Sequence, residues 1–221
     1  MKQTIEKAQP WKRQRRLKKE DIPLQAEVIQ VARGYTDLIE RSLYVMCYLT
    51  AGRISELVRL PYLIRYDYTT KKDHQNNYII AGKEKIKHDY PGVLKKNIIF
   101  TNIKGKNIMV VSMENRKNRK ITRKSLPIPI EKEAPFINML KEYLNTLEDD
   151  APLFPFGTGK ARKIIAKCGM NPHFLRDIRL THMITLYHFD TFQLVKFAGW
   201  TNINPAERYV RLSITDLVDK Y

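Results

Sequence analysis

The sequence predicts an α+β chain, mainly α, in which a small three-stranded antiparallel sheet lies between two helical blocks. Before residue 60 and after residue 134, apolar residues recur at three- and four-residue spacing, the period of an amphipathic helix. From Ile98 the period changes to short β-branched runs parted by Gly or polar clusters, the pattern of an antiparallel meander. A length of 221 residues, 43% of them hydrophobic, suits one domain that buries a full core.

In chain order, residues 1–20 end in WKRQRRLKKE, a block dense in Lys and Arg with little apolar periodicity. We expect a phosphate-contacting arm or a linker remnant rather than a merely solvated tail, with the domain over 21–221. Leu24, Val28 and Val31 share one helical face and Gly34 is placed to end that helix. TDLIERSLYVMCYLTA follows, with Thr36 or Asp37 available as cap, and its all-round apolar character puts it at the core's centre. Gly52 breaks it, and Arg53 stands at the start of a short helix expected over 54–60.

Residues 61–97 are rich in Tyr, Lys, Asn and Asp and read as a long excursion with one strand at 77–81; His74 and His88 there are surface residues. The strands NIIFTNI, NIMVVSME and ITRKSLPIPI are joined by the turns KGKN and NRKNRK, the second carrying Arg116, Lys117, Arg119 and Lys120. A helix is expected over 134–147, with Phe136, Leu140 and Leu144 in phase, and then a basic helix, KARKIIAKC. Asn171-Pro172 signals a further helix start. Leu175, Ile178, His182 and Leu186 keep helical spacing in that helix, so His182 is expected to pack in the core.

Lys and Arg number 40 against 23 Asp and Glu, a formal net charge of +17. An excess of that size points to a polyanionic partner, with nucleic acid first. The two cysteines, Cys47 and Cys168, have neither CxxC nor His spacing. That excludes a disulfide framework and a zinc site, and fits a reducing compartment. No apolar run approaches the roughly 18 residues of a membrane span, so no membrane association is expected.

The chemistry gathers late in the chain. His173 and Arg176 lie three apart at a helix start, on one face where both can meet one anion; we take that anion to be a phosphodiester. Gly199-Trp200 follows, and Tyr209 then stands in a short polar segment. Arg53, beside free amide groups at its own helix start, suits the same anion.

In order these are Arg, cationic hairpin, H-x-x-R, Gly-Trp and Tyr, carried by AGRISEL, HFLRDIRLTHM and FAGWTNINPAERYV. The set resembles the catalytic domain of tyrosine recombinases, the phage-integrase family, in its archaeal or viral integrase form, over most of residues 22–210. The resemblance implies the tyrosine-recombinase catalytic fold, with Arg53 and Arg176 as phosphate-binding arginines and Glu56 supporting the first. It implies Lys117 as the hairpin lysine, with Lys120 as the alternative, His173 beside Arg176, and Tyr209 as nucleophile. Trp200 stands where the family usually has His, and is assigned to positioning. Asp177 replaces a frequent His and is expected to alter local packing only. The excursion at 61–97 has no counterpart in compact members, and the family's N-terminal clamp domain is expected to be missing, unless the basic arm is what remains of its linker.

A Tyr of ordinary pKa near 10 is a poor nucleophile at pH 7. Two guanidiniums can hold the charge on a pentacoordinate phosphorus, because each donates parallel hydrogen bonds and never loses its proton. A Lys in a desolvated cationic site can protonate the leaving 5′-oxygen, and His173 could accept or relay the tyrosine proton. The resemblance implies a 3′-phosphotyrosyl intermediate and no metal, ATP or other cofactor. It further implies double-stranded DNA attachment sites as substrate, a homodimer or tetramer on DNA, and a host-cell, nucleoid-associated setting in the cytoplasm. Within Ser213–Lys220, apolar residues of the tail are expected to dock on a neighbouring protomer rather than on the chain's own core. The same residues would serve topoisomerase IB-like relaxation or telomere resolution, and a DNA-binding relative without activity is a third reading.

Overall fold

The computed structural model describes residues 21–117 and 120–213 of the chain, and side chains there except at 61–68, 83–88, 115–117, 120–121 and 211–213. The basic arm over 1–20 and the tail beyond 213 therefore lie outside the described residues. The described chain is mainly helical and holds two small antiparallel sheets.

The helical centre is α2 (Leu38–Thr50), buried continuously from Ser42 to Thr50. Asp37 caps it, accepting from the amides of Ile39 at 2.9 Å and Glu40 at 3.1 Å. Around α2 pack α1 (Gln25–Arg33), α4 (Ala134–Leu144), α5 (Thr158–Ala166) and α6 (Pro172–Thr185). Asn171 caps α6 by accepting from the Phe174 amide at 2.9 Å, as the Asn-Pro start predicts. Then come α7 (Thr191–Ala198) and α8 (Asn204–Ser213), which packs on α6 and α7. The segment holding Tyr209 is thus a helix, not merely a polar stretch.

The helix expected over 54–60 is a single turn, α3 (Ile54–Leu57). Val58 is already extended, and Leu60 precedes Pro61, which disfavours helix at that residue. The Leu57 carbonyl is taken by the Val93 amide at 3.0 Å. Gly92, with φ of +89°, lets that chain approach; a Cβ there would stand 2.7 Å from the Leu57 oxygen.

Residues 61–97 depart most from expectation. Instead of one strand they form a two-stranded ribbon, β1 (Leu60–Lys72) and β2 (Tyr78–Tyr90), paired antiparallel. The Asp73 carboxylate closes its turn, accepting from the amides of Gln75 and Asn77, both at 2.8 Å. The three-stranded meander forms as predicted, in the order β3 (Ile98–Ile103), β4 (Lys106–Lys117), β5 (Lys120–Pro129). Its inner face buries Met109, Val111, Leu126 and Ile128.

One buried network ties the helices together. Arg179 is ion-paired to Glu133, and its guanidinium lies 4.9 Å from the Tyr48 ring and 5.1 Å from the Tyr187 ring. Tyr187 donates to the same carboxylate at 2.6 Å. His182 packs in the core as expected, with Nδ1 2.8 Å from the Tyr48 hydroxyl and Nε2 2.9 Å from the Pro23 carbonyl. A carbonyl only accepts, so Nε2 carries the proton and Tyr48 donates to Nδ1. Burial, helped by nearby Arg179, pushes His182 down to about 4.

The unfolded imidazole titrates near 6.5, so the folded value is depressed. Its contribution is complete above about 6.5 and is lost as pH falls towards 4, on the order of 3 kcal/mol. Urea midpoints should therefore fall between pH 6.5 and 4.5, and His182→Gln should flatten that limb.

No helix among the described residues is long and apolar enough to cross a membrane.

Candidate active site

The site forms where α2 ends. Ala51 adopts a left-handed conformation, φ 44°, and turns the chain through Gly52 into Arg53, the residue that starts α3. Glu56, three residues on, reaches back: its Oε2 accepts from the Arg53 amide at 3.0 Å and its Oε1 from Arg53 Nη1 at 2.8 Å. The carboxylate is fully buried while the Arg53 side chain stays 25% exposed. Glu56 thus holds one edge of the guanidinium and leaves Arg53 open to solvent.

From β5, Lys124 brings its ammonium 3.2 Å from Glu56 Oε2, at 8% exposure. Burial would raise the Glu56 carboxyl, but Lys124 and Arg53 outweigh it and hold it below the usual carboxylate range. Burial, with Arg176 and Arg53 nearby, pushes the Lys124 ammonium down against the pull of Glu56.

Arg176 completes the cluster from α6. Its guanidinium donates to the Ala51 carbonyl and, at 3.1 Å, to the Ala198 carbonyl, so it joins the ends of α2 and α7. Burial and Arg53 pull its pKa below the ordinary value. Three cations thus gather near one buried carboxylate, and among the described residues positive charge is in surplus at that point. Such a place favours an incoming anion.

α7 ends at Gly199, whose φ of 68° turns the chain to Trp200. The indole stacks on the Tyr209 ring at 5.7 Å and 19°, and the Arg176 guanidinium lies 5.8 Å from the indole. Tyr209, 5% exposed, donates its hydroxyl proton to Asp177 Oδ1 at 2.6 Å. Burial first, then the Asp177 carboxylate, push this phenol above its ordinary value. Arg208 Nη2 approaches Asp177 Oδ2 at 3.7 Å.

Arg53, Arg176, Trp200 and Tyr209 are therefore brought together. His173 lies one turn before Arg176 on α6 and is exposed. Lys117 and Lys120 face each other across the ends of β4 and β5, with side chains outside the described set. Lys120 is four residues from Lys124, about 13 Å along an extended strand.

Two residues at this site escape sequence reasoning. Lys124 had a signal: it is in phase with Leu126 and Ile128, which face the core, so a lysine there points inward. Asp177 had none beyond its place after Arg176. The expectation that it alters only local packing needs correction, since it takes the tyrosine proton bond. Among the described residues no three His, Cys, Asp or Glu side chains converge as a metal site.

No protein-family model matches the chain and no curated protein matches it in sequence. Solved structures do match. The site-specific recombinase XerH bound to difH substrate, in a pre-cleavage complex, aligns with TM-score 0.52 and 14% identity over 92% of this chain and 52% of that one. The XerH post-cleavage complex on palindromic difH gives 0.53 and 13%, over 93% and 52%. The XerA recombinase gives 0.50 and 16%, over 90% and 62%. The chain thus spans about half to three-fifths of the length of the structures it matches. At this identity the likeness concerns the fold: a mainly helical chain with small antiparallel sheets, the fold of the tyrosine-recombinase catalytic domain.

Proposed function

We propose that the chain is a site-specific DNA recombinase, of archaeal or viral integrase type, that cleaves and rejoins strands through a 3′-phosphotyrosyl intermediate. The convergence of Arg53, Lys124 and Arg176 around Glu56, beside Tyr209 stacked on Trp200, carries the reading. Arg53 and Arg176 clasp the non-bridging oxygens of the scissile phosphate, and their charge rises in value as the pentacoordinate phosphorus gains negative charge. His173, exposed on the same helix face, adds a donor to that phosphate. Tyr209 attacks phosphorus, the 5′-oxygen leaves, and reversal on a second 5′-hydroxyl reseals the strand with no external energy source. Trp200 fixes the attacking ring by stacking and transfers no proton.

Double-stranded DNA is the partner that fits a net charge of +17, and binding should weaken steeply with salt as phosphate contacts release counterions. Assembly into a dimer or tetramer on the DNA belongs to the same reading, with the tail beyond 213 as linking segment.

The leaving oxygen needs an acid, and Lys124 is the ammonium placed beside both guanidiniums. Lys124→Ala should lower cleavage about 10²–10⁴-fold. A bridging 5′-phosphorothiolate should restore it, because a thiolate leaves without a proton; Arg176→Ala should not be restored. Restoration of Lys117→Ala, with Lys124→Ala unaffected by sulfur, would move the acid to the hairpin end.

A further inference from the structure

Resting on that function, we propose that Asp177 is the proton acceptor of the nucleophile: as Tyr209 Oη bonds to phosphorus, its proton passes to Asp177 Oδ1. A hydroxyl has one proton, and here it lies on the 2.6 Å line to that carboxylate, within the range of charge-assisted O–H···O bonds. Both lone pairs of Oη are left for phosphorus. Trp200 offers its ring face to the phenol and cannot accept the proton.

The placement is economical in the fold. Asp177 follows Arg176 on α6, so one helix turn holds both the phosphate ligand and the base. Its second oxygen, Oδ2, is buried without a hydrogen-bond partner among the described residues, and Arg208 is 3.7 Å away, beyond hydrogen-bond reach. Tyr209 is held protonated by its burial, so attack at neutral pH has to shed a proton, and as the O–P bond forms the aryl oxygen becomes acidic enough to lose it to a carboxylate.

The step balances. Oη–P forms and P–O5′ breaks; the phenolic proton goes to Asp177, and the 5′-oxygen takes a separate proton from the ammonium acid. In rejoining, Asp177 returns its proton to Tyr209 as that oxygen leaves. This places on Asp177 the role that the sequence suggests for His173.

The test is single-turnover cleavage of nicked duplexes, first selected by the protein from a randomised pool, with wild type, Asp177→Asn and Asp177→Ala. Asn still accepts the tyrosine bond but cannot take the proton. The groups facing Asp177 are Tyr209, Arg176 and Arg208, and both arginines stay charged throughout. We expect Asp177→Asn to cleave about 10²–10⁴-fold more slowly, with a rate that climbs with pH more steeply than that of wild type. Added acetate should restore Asp177→Ala. Asp177→Asn cleaving as fast as wild type, or faster, would make the contact a mere latch and overturn the assignment. So would a slow variant with a flat pH profile and no acetate rescue. Wild type failing to form any covalent adduct would instead overturn the recombinase reading, and this assignment with it.

Discussion

Tyr209→Phe abolishes covalent attachment to DNA and leaves duplex affinity nearly unchanged. The phenyl ring keeps its stack on Trp200, which depends on the ring alone, so α8 stays seated. Only the oxygen that would bond to phosphorus is gone, and no acid, base or cation can replace a missing nucleophile. The variant also leaves Asp177 without its 2.6 Å donor. A buried acceptor that loses its partner costs about 1–3 kcal/mol, so a modest drop in melting temperature should accompany full loss of the covalent band. A Phe variant that still yields adduct would remove Tyr209 from the mechanism.

Arg176→Ala and Arg53→Ala should each slow cleavage about 10²–10³-fold, the usual loss when one donor to a developing charge is deleted. Stability separates the two. Arg53 is partly exposed and its partner Glu56 keeps Lys124, so folding should hardly change. Arg176 is buried and spans the carbonyls of Ala51 and Ala198, so its removal frees the ends of α2 and α7 as well. Arg176→Lys should not rescue cleavage, because a single ammonium cannot serve two carbonyls and a phosphate with a planar fork's geometry. Binding should fall only modestly in all three, since a net charge of +17 leaves many other cations for the duplex in the proposed complex. Either alanine variant cleaving at the normal rate would contradict the assignment.

What sequence could and could not reveal follows from how each segment is stabilised. The meander was legible because Met109, Val111, Leu126 and Ile128 face a core, which imposes a period of two. The β1–β2 ribbon was not. Thr69 to Lys72 and Tyr78 to Ala81 are exposed, so neither face at that end carries the alternation that marks a strand, and cross-strand backbone pairing is what defines it. α8 escaped because its sequence, NPAERYVRLS, is mostly polar; the Asn204-Pro205 start, the same signal as Asn171-Pro172, was there to be read.

At the site, Arg53, Arg176 and Trp200 stood out because short motifs place them near helix ends, and Tyr209 because it follows the Gly-Trp pair. Lys124 did not, since the cationic turn drew attention to Lys117 and Lys120, while Lys124 lies further along β5 and is buried beside Glu56. Asp177 depends on α8 folding back against α6, a tertiary contact that spacing along the chain does not encode.

The proposed mechanism turns on a covalent 3′-phosphotyrosyl bond between Tyr209 and DNA. The most direct measurement is to trap the protein on nicked duplexes that it has itself selected from a randomised pool, digest the complex, and locate the nucleotide by mass spectrometry. The expected result is a 3′-linked nucleotide on the peptide containing Tyr209 and a free 5′-hydroxyl on the released strand. A nucleotide on another residue, a 5′-linked adduct, or release of both strand ends with no covalent protein would contradict it.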